Sequence, residues 1–177
     1  MENSLSNTAV LFVDIINDFD FIGGDKLHEN TTAILPNLVK LKKFAQENDL
    51  PCIYVNDHYG LWQADFHKII DYCRNEKSEE IIDALMPGEN DYFLIKPMHS
   101  AFFQSPLQSL LTELDKTHLI MGGIAGDICI LFTAQDAYMY KYRISVPKNC
   151  MASEENDNNE YALYLMKSVM DADISPI

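Results

Sequence analysis

Positive charge is scarce in this chain: 13 lysines and arginines face 27 aspartates and glutamates, giving a formal net charge of −14 over 177 residues. A field of that sign repels phosphate, which argues against nucleic acid or an anionic membrane surface as partner. No stretch approaches the roughly 18 consecutive apolar residues of a membrane span, and Met1–Thr8 has no basic segment leading into an apolar one. A cytoplasmic protein is the expectation. Cysteine is also sparse. Cys52, Cys73, Cys129 and Cys150 lie far apart, without the short spacings of a zinc knuckle or a disulfide framework. There is no internal repeat and no low-complexity linker, so one domain over residues 1–177 is expected. With 47% hydrophobic residues the chain can bury a sizeable core.

What is present alternates. Apolar runs at 8–14, 52–56, 92–95, 118–121 and 143–146 read as strands, each short and rich in branched or aromatic residues. Between them lie helical patterns. One spans 36–48, where Leu38, Leu41, Phe44 and Ala45 recur at three-and-four spacing and Pro36 suits the first helical turn. Others are expected at 78–85, 107–114, about 129–140 and 159–170, with Ser78 and Ser105 as caps. The acidic stretch 154–159 reads as a solvated loop and helix cap. Strand and helix in alternation predict an α/β fold, a three-layer α/β/α domain around a mostly parallel sheet. In such sheets ligands bind beyond the carboxyl ends of the strands.

Three reactive side chains fall at those ends. Asp14 closes the first apolar run, Lys96 the third, and Cys129 follows a strand that is expected to break at Gly122 and Gly123 before a helix begins. A thiol in a first helical turn faces unpaired N–H groups and the positive end of the helix dipole, and an ammonium nearby would add to the thiolate's stability. Cys52 instead sits inside an apolar run and reads as a small buried hydrophobe. Lys96, His58 and His99 are able to reverse the sign of the overall field inside a pocket.

The runs 10–19 (Val-Leu-Phe-Val-Asp-Ile-Ile-Asn-Asp-Phe), 95–102 (Ile-Lys-Pro-Met-His-Ser-Ala-Phe) and 122–130 (Gly-Gly-Ile-Ala-Gly-Asp-Ile-Cys-Ile), in that order, resemble the isochorismatase-like cysteine hydrolases, a family that includes nicotinamidases and N-carbamoyl amidases. The resemblance covers nearly the whole chain. It implies a catalytic triad of Asp14, Lys96 and Cys129, a cis peptide between Ile124 and Ala125, and an oxyanion hole made by the N–H groups of Ala125 and Cys129. The implied reaction is cleavage of an amide or carbamoyl C–N bond of a small molecule through a thioester. Vinyl ether hydrolysis, or a noncatalytic binding module on the same fold, are the alternatives. The family also suggests a homo-oligomer.

Asn17, Phe19, Trp62 and Phe102 are candidates for the substrate pocket. Three departures stand out. Ile16 occupies the place where many members have glutamine, so a polar contact is either lost or supplied by Asn17. Gly126 replaces a common threonine, which removes a hydroxyl and would leave space. Where nicotinamidases place a metal-binding histidine after Asp57, this chain has Tyr59, with His58 out of step. No metal and no cofactor is expected. Ile16 also removes the second aspartate that a haloacid dehalogenase type phosphatase would need.

Overall fold

The computed structural model describes residues 5–63 and 65–177. Five strands form a parallel sheet: β1 (Thr8–Val13), β2 (Cys52–Asp57), β3 (Tyr92–Lys96), β4 (His118–Ile124) and β5 (Arg143–Ser145), in the spatial order β3-β2-β1-β4-β5. A two-residue strand, β6 (Met151–Ala152), pairs in parallel with the end of β4. Every residue of β1 is buried. Its alternate side chains divide the core: Val10 and Phe12 point into one apolar cluster with Leu38, Leu41 and Ile82, while Ala9, Leu11 and Val13 point into another with Leu107, Ala134 and Leu163. Helices α1 (Gly24–Glu47), α2 (Phe66–Cys73) and α3 (Glu79–Leu85) contribute to the first cluster. Helices α4 (Leu107–Glu113), α5 (Leu131–Met139) and α6 (Asn156–Met170) contribute to the second. The predicted α/β/α sandwich is the observed one. Among the described residues no helix is long and apolar enough to cross a membrane.

The order reverses direction between β1 and β4, so the crevice above that pair is where ligands enter such a sheet.

Several boundaries differ from the sequence reading. Pro36 lies in the middle of α1 rather than in its first turn. Its missing N–H leaves the carbonyl four residues earlier without a helical partner. Pro36 faces solvent, so water can serve that carbonyl, and the stripe Leu27, Thr31, Leu35, Leu38, Leu41, Ala45 keeps the whole length on the sheet. β4 does not break at its glycines but runs through them to Ile124. A Cβ on Gly122 would meet the Leu38 and Leu41 side chains at 2.9 and 3.1 Å, and one on Gly123 (φ +135°) would lie 2.1 Å from the Val13 carbonyl oxygen. These glycines permit close approach. Helix α2 and strand β6 went unread, and α6 starts three residues early, inside the acidic stretch.

Candidate active site

Asp14 leaves β1 in a left-handed conformation, φ 50°. Its N–H still donates to the Val55 carbonyl, 3.1 Å, so the turn is anchored to β2. Oδ1 accepts from the Asp57 N–H at 2.9 Å, and Oδ2 lies 2.7 Å from the Lys96 ammonium. Lys96 ends β3, two strands away from β1, and its buried side chain spans that distance. Its Nζ also donates to the Met98 carbonyl at 3.1 Å and to Cys129 Sγ at 3.6 Å. Asp14 and Cys129 thus both contact the Lys96 ammonium. The three residues expected to converge do so.

Cys129 stands in a π-helical turn, Gly126–Ile130, wedged between β4 and α5. Wide turns of this type recur at functional sites. The N–H groups of Ile128 and Ile130 both donate to the Ala125 carbonyl, at 3.2 and 3.1 Å. The Ile124–Ala125 peptide is cis. Thr133 fastens this turn to the segment after Lys96, since its Oγ1 donates to the Cys129 carbonyl at 2.6 Å and accepts from the Ala101 N–H at 2.9 Å.

The electrostatics differ from the expectation of a resting thiolate. Burial pushes the Cys129 thiol far above its ordinary range, the Asp14 carboxylate adds to that, and Lys96 opposes it only in part. Burial likewise raises Asp14 above the usual carboxylate range, with Lys96 pulling it back. Burial works against the Lys96 ammonium, but Asp14 and Cys129 outweigh it and hold Lys96 above its ordinary value. Burial and Asp14 thus weigh against a thiolate at Cys129, because a second anion next to Asp14 is costly.

A cavity of about 410 Å³ opens over these groups, a size suited to a small molecule. Ala125, Ile128 and Cys129 form its floor on one side, and Asn17 lies on its wall as expected. The other three pocket candidates are corrections. Phe19 is 1% exposed and packs its ring edge-on against His28 in the core. Phe102 is 7% exposed among the rings of Tyr140 and Tyr142. Trp62 is 62% exposed and stacks on His58, away from the cavity. In their place the wall takes Asp18, Phe21, Asp57, Tyr59, His99 and Glu154. Glu154 belongs to the stretch read as solvated loop. Its role had no local signal, since only the tertiary fold brings the β6–α6 loop over the start of α1.

The departures also resolve. Ile16 is fully buried, and the polar contact at that level comes from its own backbone: Asn56 Oδ1 accepts from the Ile16 N–H at 3.1 Å and Nδ2 donates to its carbonyl at 2.7 Å. Gly126 leaves no space, because an added Cβ would lie 2.3 Å from Asn159 Oδ1 and 2.4 Å from Met151 Cε. Among the described residues no three histidine, cysteine, aspartate or glutamate side chains are grouped to hold a metal. Asp57 Oδ1 accepts from the Tyr59 N–H, the Tyr59 hydroxyl donates to the Ile16 carbonyl, and His58 Nδ1 accepts from the Gly60 N–H. A larger depression, about 530 Å³, opens elsewhere among Asp49, Cys52 and Asp91; burial pushes the Cys52 thiol up to about 12, which suits a packing residue.

A family profile described as the isochorismatase domain matches residues 8–174. The chain is 51% identical over 172 residues to an uncharacterised isochorismatase family protein, YaaI, of Bacillus subtilis, covering 97% of this chain and 95% of the relative. Among solved structures it resembles a nicotinamidase from Staphylococcus aureus, with 27% identity, a TM-score of 0.74, and coverage of 96% and 97%. An N-carbamoylsarcosine amidase from Thermoplasma acidophilum shares the fold at 24% identity and a TM-score of 0.72, over 96% of each chain.

Proposed function

The chain belongs to the isochorismatase family of hydrolases, and from that premise we propose that it is a cysteine hydrolase cleaving an amide or carbamoyl C–N bond of a small molecule. The observation that carries this reading is the convergence of Asp14, Lys96 and Cys129 beneath one cavity.

The substrate carbonyl docks against Cys129, and its approach drives the proton of the thiol onto Asp14 as Sγ forms a bond to the carbonyl carbon. Lys96 compensates the negative charge that moves from carboxylate to sulfur. The carbonyl electron pair moves onto oxygen, where the N–H groups of Ala125 and Cys129 receive it; losing one donor of such a pair costs about 3 kcal/mol of transition-state stabilisation. The tetrahedral intermediate collapses, the C–N bond breaks, and Asp14 returns the proton to the departing amine. A water then enters, gives a proton to Asp14 and attacks the thioester carbon. Sulfur leaves and regains its proton, so the sum is amide plus water to acid plus amine.

The test is ammonia release from a panel of primary amides and carbamoyl compounds by the wild type and by Cys129→Ala, with mass spectrometry of the intact protein for an acyl adduct. The expected loss in kcat is about 10³-fold or more. Ammonia release that survives the substitution removes Cys129 as the nucleophile, cleavage of a vinyl ether with no release from any amide points to vinyl ether chemistry, and specific small-molecule binding without turnover points to a binding module.

A further inference from the structure

Resting on the hydrolase reading, we propose that the substrate is an amide or carbamoyl compound that carries a protonated amine and no carboxylate.

The lining of the cavity is rich in acids. Asp18, Asp57 and Glu154 line it, whereas Lys96 is the only lysine or arginine among the described lining residues. That ammonium is already engaged, since its three hydrogens go to Asp14 Oδ2, the Met98 carbonyl and Cys129 Sγ. None remains for a substrate carboxylate. His99 lines the cavity as well, with its ring against Phe132. The sign reversal expected from Lys96, His58 and His99 therefore does not occur, because Asp14 neutralises Lys96 and His58 lies outside the cavity against Trp62.

The acids are also free to act. Asp18 and Asp57 each commit one oxygen to a backbone turn, on Asp20 and Tyr59. Glu154 has no side-chain hydrogen bond or ion pair among the described residues. Its carboxylate packs over Gly23, where a methyl would fall 2.2 Å from Oε2, at the positive end of the 24-residue helix α1. Two aromatic residues, Phe21 and Tyr59, also line the cavity, and aromatic rings near carboxylates suit an ammonium. An anionic amide would meet like charge without a counter-ion.

The experiment measures labelling of Cys129 by methanethiosulfonate reagents of matched size, one bearing an ammonium and one a sulfonate, followed by peptide mass spectrometry. With each rate divided by the same reagent's rate on a small free thiol such as 2-mercaptoethanol, the cationic reagent is expected to react at least about tenfold faster. Glu154→Gln and Asp18→Asn should each shrink that ratio several-fold, whereas Glu47→Gln with Glu113→Gln, remote from the cavity, should leave it unchanged. Equal rates, or a ratio that the remote pair lowers as much as Glu154→Gln does, would overturn the proposal. Since labelling requires no turnover, this result is separable from the hydrolase reading. Where turnover is found, 4-aminobutyramide should exceed succinamate in kcat/KM, with the loss in Glu154→Gln confined to KM.

Discussion

Lys96 Nζ stands 2.7 Å from Asp14 Oδ2 with their side chains only 2% and 8% exposed, so each charge depends on the other for its place in the interior. Removing one partner of a buried pair typically costs about 3–5 kcal/mol, because the survivor is left uncompensated. Lys96→Met and Asp14→Ala should each fall in that range in urea unfolding, and the double variant should lose clearly less than the two losses added. Strict additivity would show that the pair does not couple.

Cys129 should behave as a reluctant thiol. Its iodoacetamide alkylation rate is expected to keep rising with pH beyond the free-thiol value of about 8.5, as burial and Asp14 dictate. In Asp14→Asn the rise should begin at lower pH, since a neighbouring anion has been removed. A plateau near neutrality in the wild type would instead indicate a thiolate at rest.

The proposed mechanism needs Asp14 ionised, and burial raises its pKa above the ordinary 3.8. The acid limb of kcat/KM should accordingly lie above the usual carboxylate range. Lys96 holds the Asp14 pKa down against burial, so Lys96→Met should move the limb to higher pH. An acid limb unmoved by that substitution would assign it to another group.

His118 tests the opposite sign. Arg143 can only donate, so the His118 Nδ1 that it contacts at 2.8 Å is an acceptor, and Nε2 faces the Ser145 hydroxyl at 2.9 Å. Burial, then Arg143, lowers its pKa from 6.5 to about 4. The neutral ring therefore stabilises the fold above pH 6.5, and this contribution is lost as pH falls through about 4. The shift corresponds to about 3 kcal/mol. Unfolding free energies at pH 7 and pH 4 should differ by less in His118→Gln than in the wild type.

Glycine positions separate by what surrounds them. Gly123→Ala would drive a methyl into the Val13 carbonyl at φ +135°, beside the turn that carries Asp14, whereas a Cβ on Gly60 meets nothing within 4 Å. Thermal unfolding should show Gly60→Ala costing about 1 kcal/mol, for its positive φ alone, and Gly123→Ala costing well over 2.

The parallel sheet and the convergence of Asp14, Lys96 and Cys129 were legible because both are written in local patterns: apolar runs ended by Asp14 and Lys96, and a glycine-rich turn before Cys129. The wall was not. Phe19 and Phe102 look like pocket aromatics in sequence, yet the loops that follow β1 and β3 carry them into the interior, where burying a large ring is most favourable. Glu154 looks like a solvated charge and becomes a wall residue only because β6 pairs with β4 across long-range contacts. The influences on the thiol divide in a related way. Motif spacing gives the positions of Lys96 and the helix start, but not the depth of burial, and desolvation is the largest influence on Cys129.

Asn30, on α1, donates through one amide to the carbonyls of both Ser153 and Glu154, at 2.8 and 3.2 Å. Asp14 and Lys96 are thus mounted at strand ends and Cys129 in the turn after β4, while Glu154, one of the three acids proposed to meet the incoming charge, is tied to a helix that carries none of these three residues. Such a division would let that part of the wall change independently of Asp14, Lys96 and Cys129. Loosening Asn30 should blur which molecules are accepted without blunting the cut, and a lineage could change its diet by rewriting residues 153–155 while the catalytic engine stays as it is.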